Sequence, residues 1–239
     1  MTPVRRLPPI ALWLIAGAMF AAIEALGLIV SGSPSITAAE MNAVIAVNGF
    51  HAPVFDAIAQ SIDVVFGPRF AVLVGVLAVV IAGLIGRSWL TALRMALLIA
   101  IPWAAADVIK VIIQRPRPDM SLLAHPLLVE PTSFSYPSGH TAFATAFGLS
   151  AVVMLAGWRY RAAAIVVAAV VALTTAWSRM YLGAHYPSDV LGSLLLVSVW
   201  CLCLGALMRN SRLLRPRRRD EEVGARVRVV DSGMERGDS

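Results

Sequence analysis

The sequence predicts an all-α polytopic membrane protein built on six transmembrane helices. Three observations lead there. Of 239 residues, 59% are hydrophobic and only 14% are charged, with a mean hydropathy of +0.77; a soluble domain carries about 25% charged residues. Six apolar runs approach the roughly 20 residues a helix needs to cross the hydrocarbon core. Arginine collects on alternate flanks of those runs, as the positive-inside rule asks of a multi-pass chain.

The runs cover residues 10–30, 70–85, 93–113, 141–157, 162–177 and 190–208. The first follows Arg5 and Arg6 as a secretory signal would. Its apolar stretch exceeds the ~7–15 residues of a signal core, and no small-residue cleavage site follows, so it reads as a retained helix. Residues 31–69 are too polar to span in full, and 36–47 reads as a short helix lying in the interface. Residues 86–88 and 157–161 read as tight turns. The chain thus divides into one membrane domain over residues 1–208 and a basic tail over 209–239, whose lack of apolar periodicity predicts disorder. The net charge of +6 splits into +3 on each part. Asp220, Glu221 and Glu222 follow the tail arginines at once, which favours an anionic leaflet over nucleic acid as the partner. Cys201 and Cys203, the two cysteines, lie in one apolar run as small packing residues; neither a disulfide framework nor a Cys/His zinc site is present.

Arg5, Arg6, Arg87, Arg159, Arg161 and the arginines from Arg209 onward mark one side. That side reads as cytoplasmic and holds both termini. Residues 31–69, 114–140 and 178–189 then emerge on the other face of the plasma membrane, periplasmic or extracellular. Three polar clusters fall on that face, and they concentrate the chemistry.

The first cluster ends the third run. Lys110, the one lysine of the chain, and Arg117 are pure donors suited to phosphate oxygens. Arg115 is a third candidate, held in extended chain by Pro116 and Pro118. The second cluster is Pro137-Ser138-Gly139-His140, immediately before an apolar run. Ser138 suits a helix cap, and a helix N-terminus offers free N–H groups to an anion, with His140 in the first turn beside it. The third holds Arg179, His185 and Asp189. A carboxylate bonded to one imidazole nitrogen leaves the other as nucleophile or base. Taken singly, each cluster also fits a blander reading: a plain cap, a surface histidine, a snorkelling basic flank.

Together the residues resemble the type 2 phosphatidic acid phosphatase (PAP2) family, which also includes vanadium haloperoxidases and bacterial acid phosphatases. The chain matches K-x6-R-P, P-S-G-H and S-R-x5-H-x3-D in order, from Lys110 to Asp189. The resemblance implies that His185 attacks phosphorus and that Asp189 orients it. It implies that His140 protonates the leaving oxygen, and that Lys110, Arg117, Ser138, Gly139 and Arg179 hold the phosphate. It implies no metal and no cofactor. The implied substrate is a membrane lipid phosphate or diphosphate: polyprenyl diphosphate, phosphatidylglycerophosphate or phosphatidate. Non-catalytic lipid-phosphate binding or transport, and a vanadate-dependent haloperoxidase, are the alternatives.

Other polar residues are weighed beside these. Glu24, inside the first run, reads as a structural or substrate-access carboxylate. Asp107 stands one helical turn before Lys110 and is expected to pair with it. Trp177 and Tyr181 read as interface anchors, with Tyr181 alternatively walling the pocket. His51 and His125 read as interfacial and solvated.

Overall fold

Proline opens five helices: α1 (Pro9–Gly32), α2 (Pro34–Gly49), α3 (Pro53–Phe66), α4 (Pro68–Gly86) and α8 (Pro187–Asn210). Its fixed φ suits the first helical turn, where the missing N–H is unpaired in any residue. The other helices are α5 (Trp89–Ile113), α6 (Gly139–Met154) and α7 (Arg161–Tyr181), with one 3-10 turn at Met120–Leu122. This computed structural model describes residues 7–128, 133–155 and 159–210. Among them there is no strand. Arg5, Arg6 and nearly all of the basic tail lie outside the described residues.

All six apolar runs appear as helices, with ends shifted by a few residues. Five of them, α1, α4, α5, α7 and α8, are long and apolar enough to cross a membrane. The count of six is therefore five by length, because α6 has only 16 residues. Helix α6 is instead the central helix, packed by α5, α7 and α8. The interfacial helix expected over 36–47 is α2. Helix α3 was not expected, because Asp56, Gln60, Ser61 and Asp63 break its apolar run; it is amphipathic and turns Ala59 inward.

The core sits between α1, α5, α6 and α8. Tyr136 is fully buried there with Ile23, Ile109, Ala142, Leu196 and Cys201 around it. Its hydroxyl donates to the Ile23 carbonyl at 2.7 Å, so the ring closes the gap between α1 and the loop before α6. Helix α8 ties to α1 through Trp200, whose indole N–H donates to the Ala16 carbonyl at 3.1 Å. The outer faces of α4 and α7 show Val72, Val76, Val80, Val166, Val170 and Leu173, an apolar surface that lipid can cover.

Asn48 fastens α2 over one end of this bundle. It is buried, and its amide donates to the carbonyls of His125 (2.9 Å) and Tyr181 (3.0 Å) and accepts from His125 N–H (3.1 Å). Helices α6 and α7 approach closely at Gly148. A Cβ there would lie 2.9 Å from the Ala168 Cβ and 3.0 Å from its Cα. The obstacle includes backbone and cannot swing aside. Gly148→Val is therefore expected to destabilise the fold by about 1–3 kcal/mol, read as a lowered melting temperature in detergent. An unchanged melting temperature would remove this contact from the packing argument.

Candidate active site

The three polar clusters meet at one end of the bundle. Ser135 N–H donates to the Arg115 carbonyl at 2.8 Å, and Ser138 N–H to the Asp189 carbonyl at 3.1 Å. Between α7 and α8 the chain turns through Gly183, whose φ of +72° favours glycine; a Cβ there would also lie 2.2 Å from Leu123 Cδ1. The N–H groups of Ala184 and His185 both return to the Arg179 carbonyl, at 2.9 and 3.2 Å. These bonds set His185 just ahead of Pro187, the first residue of α8, with Asp189 in its first turn.

His185 is buried, with Nδ1 3.4 Å from Asp189 Oδ2 and Nε2 3.2 Å from Arg117 Nη1. A guanidinium cannot accept a hydrogen bond, so Nε2 is the acceptor and Nδ1 carries the proton towards Asp189. Burial, reinforced by the charges of Arg117, Lys110 and Arg179, holds the His185 imidazole well below its ordinary range. A neutral ring with its free lone pair on Nε2 is a nucleophile or base.

Asp189 has no exposure. It accepts from Arg115 Nη1 (2.8 Å), from Tyr186 N–H (2.8 Å) and from Ser135 Oγ. Arg115 thus turns to the carboxylate. Its Nη2 also donates to Glu40 Oε2 (2.7 Å), Nη1 to Ser188 Oγ (2.8 Å), and its guanidinium lies 4.1 Å over the Tyr186 ring. Glu40, from α2, accepts from Ser188 N–H at 2.7 Å. This chain of ionic bonds fixes the start of α8.

A cavity of about 560 Å³ opens beside His185, and Arg117, His140, Arg179, Asp63 and Arg69 are among its lining residues. Arg117 donates Nε to the Ser133 carbonyl (2.7 Å), Nη2 to Ser133 Oγ (2.8 Å) and Nη1 to the Ala184 carbonyl (2.7 Å). Burial, then the charge of Arg179, lowers the Arg117 guanidinium to about 10. Arg179 gives Nη1 to Asp63 Oδ1 at 2.5 Å, while its buried Nε and Nη2 have no partner among the described residues. His140 Nε2 stands 3.3 Å from both Asp63 Oδ1 and the Asp63 carbonyl. Burial alone would raise Asp63. Hydrogen bonds from His140 and Arg179 and the Arg179 charge outweigh it and hold this carboxyl well below the usual range.

Ser138 caps α6: its hydroxyl accepts from Thr141 N–H at 3.4 Å and from Thr141 Oγ1 at 3.1 Å. Gly139 opens that helix beside the Asp107 carboxylate, 3.9 Å from where its Cβ would stand. Lys110 donates to the Phe134 carbonyl at 3.2 Å. None of these three lines the cavity itself. Asp107 makes no ion pair with Lys110 among the described residues; its carboxylate faces the start of α6 instead.

Glu24 is half-buried on α1 and makes no hydrogen bond or ion pair among the described residues. Tyr181 neither walls the cavity nor faces an interface. It is fully buried, its hydroxyl donates to Asp56, and it accepts from Ala52 N–H at 3.4 Å, which anchors the start of α3. His51 and His125 are not separately solvated. Their rings stack at 3.9 Å, and His51 Nδ1 lies 3.2 Å from Asp56 Oδ1.

Asp63 and Glu40 escaped the sequence reading. The available signal was scarcity: residues 1–208 hold eight acids, and buried cations must draw partners from so short a roster.

The PAP2 superfamily model matches residues 89–212, just over half of the chain. The chain belongs to the PAP2 superfamily. Its curated relatives include undecaprenyl-diphosphatase BcrC of Bacillus subtilis, 36% identical over 104 residues, or 42% of this chain and 48% of that protein. Phosphatidylglycerophosphatase B of the same organism is 35% identical over 92 residues, 36% of this chain and 42% of that protein. The chain thus spans about half the length of the curated relatives it matches. A crystal structure of a transmembrane PAP2-type phosphatidylglycerolphosphate phosphatase from Bacillus subtilis superposes with a TM-score of 0.67. It is 23% identical and covers 87% of this chain and 98% of that one. That likeness and the apolar helices make this a multi-pass membrane protein of PAP2 fold.

The state of His185 is open to direct measurement by nitrogen-15 NMR of labelled histidine in detergent. The imidazole is expected to stay neutral at pH 6.5, with the proton on Nδ1. Arg117→Gln removes a cation beside Nε2, so protonation becomes easier and the His185 titration moves to higher pH. A ring already protonated at pH 6.5 in the parent protein would overturn the assignment.

Proposed function

We propose that this protein is a membrane phosphatase that moves the terminal phosphoryl group of a lipid phosphate or diphosphate to His185 and then to water. One observation carries the reading. A buried neutral imidazole, backed by Asp189, presents Nε2 beside a cavity where Arg117, His140 and Arg179 converge, the Arg179 Nε and Nη2 having no partner among the described residues. The names of two relatives, an undecaprenyl-diphosphatase and a phosphatidylglycerophosphatase, support a lipid with a terminal phosphate.

In the proposed reaction the Nε2 lone pair forms a bond to phosphorus as the bond to the leaving oxygen breaks. His140 gives that oxygen its proton. The same His140 then takes a proton from water as water attacks the phosphohistidine, and His185 is released. Arg179 and Arg117 receive the phosphoryl oxygens, with Lys110 and the capped start of α6 adding positive potential from behind. Asp189 meets the charge that develops on His185. Asp63 holds His140 and Arg179 in register between turnovers. Fixed cations take the role that a metal ion has in other phosphoryl transfers. The arginine flanks favour an outer-face site, where the lipid tail remains in the bilayer.

Phosphate release by purified protein in detergent with EDTA tests this, on undecaprenyl diphosphate, phosphatidylglycerophosphate and phosphatidate. Turnover of at least one lipid is expected to survive EDTA. His185→Ala is expected to reduce it about a thousandfold or more; a rate within tenfold of the parent would remove His185 from the chemistry. Glu40 acts at one remove, through Arg115 and Ser188. Glu40→Gln weakens a charge-assisted bond, so kcat should fall roughly tenfold with KM held. A rise in KM alone would place Glu40 in binding instead.

A further inference from the structure

Five basic residues belong to this end of the described structure, and four are engaged. Lys110 serves the Phe134 carbonyl, Arg115 serves Asp189 and Glu40, Arg117 serves Ser133 and Ala184, and Arg179 serves Asp63. Arg69 is the fifth. It is exposed, lines the same cavity, and makes no hydrogen bond or ion pair among the described residues. An arginine set on the face opposite to the other flank arginines, with no counter-charge of its own, calls for an anion from outside the chain.

Its place relative to His140 says which anion. Gly67 comes close to that ring: an atom at its Cβ position would lie 3.6 Å from His140 Nε2. Arg69 follows two residues later, in the first turn of α4, beside exposed Phe70 on the cavity wall. Under the reading above, His140 serves the leaving oxygen, and the turn that approaches His140 at Gly67 puts Arg69 on the leaving-group side of the cavity.

We propose that Arg69 forms a second anion subsite, which holds the phosphate that stays on the leaving group of a lipid diphosphate. The inference rests on the phosphatase reading and deepens it. When the terminal phosphorus leaves a diphosphate, the bond to the bridging oxygen breaks, and that oxygen remains on a lipid monophosphate. The inner phosphate is therefore charged and sits next to His140 throughout the step. A lipid monoester presents a carbon at the same place. Left without a counter-charge at the edge of an apolar medium, the inner phosphate would be costly to hold; the long side chain of Arg69 can meet it, while Phe70 takes the first apolar part of the tail.

The test compares farnesyl diphosphate with farnesyl phosphate, two substrates with one tail and one phosphate of difference. The parent, Arg69→Gln and Arg69→Lys are assayed in detergent with EDTA. The ratio of kcat/KM for diphosphate to that for monophosphate is expected to fall about three- to fivefold in Arg69→Gln, the size of one exposed charge pair, and less in Arg69→Lys. A ratio that does not move, even with a parallel loss on both substrates, overturns the subsite. Binding of the non-hydrolysable farnesyl methylenediphosphonate is measured alongside. If the parent hydrolyses neither substrate, the phosphatase reading is decided by the lipid panel above and this second arm decides the subsite: weaker binding in Arg69→Gln upholds it, and equal binding ends it.

Discussion

A single carboxylate, Asp189, organises the polar end of this protein. It has no exposure, and a buried charge stripped of partners costs several kcal/mol. The fold meets that demand from three directions: Arg115 from the segment after α5, Ser135 from the segment before α6, and Tyr186 N–H from its own turn. The Arg115 and Ser135 bonds bring the first two polar clusters to the third, and the Tyr186 bond shapes the third from within. Satisfying Asp189 is thus the same act as assembling the site, and His185 is oriented as a consequence.

The charge of Arg115 then needs its own answer, and the answer comes from α2. Glu40 closes the circuit by binding both Arg115 and the backbone at Ser188. The α2–α3 segment is therefore more than a link between two spans. It delivers Glu40 to Arg115 and the start of α8, and Asp63 to His140 and Arg179. One end of the bundle gathers four partnered cations: carboxylates hold two of them, Asp189 and Glu40 on Arg115 and Asp63 on Arg179, while carbonyl oxygens hold Lys110 and Arg117. Arg69 is the cation at this end that has no such partner among the described residues, and it stands at the rim.

The helices that position these groups are held by means suited to lipid. Small residues let α6 and α7 touch at Gly148 and Ala168, and tyrosine and tryptophan hydroxyl or N–H groups close on backbone carbonyls of α1. Helix α6 gives up length for centrality. Surrounded by α5, α7 and α8, it carries His140 on its first turn.

The six apolar segments, the all-helical class and the three clusters in their order were legible in the sequence, because each is a local property: apolar run length, and fixed spacing between polar residues. The His185–Asp189 approach was also local, since only four residues separate them across the start of α8. Only the tertiary structure decided what Arg115, Asp63 and Glu40 do. Their partners lie 74, 116 and 148 residues away along the chain, and no spacing rule reaches across such gaps. Asp63 hid in a segment whose polar residues masked a helix. Tyr181 took a partner, Asp56, that its place in the sequence does not suggest, for the same reason. A buried polar group binds whatever the packed helices set beside it, and that choice is made by the fold rather than by its neighbours in sequence.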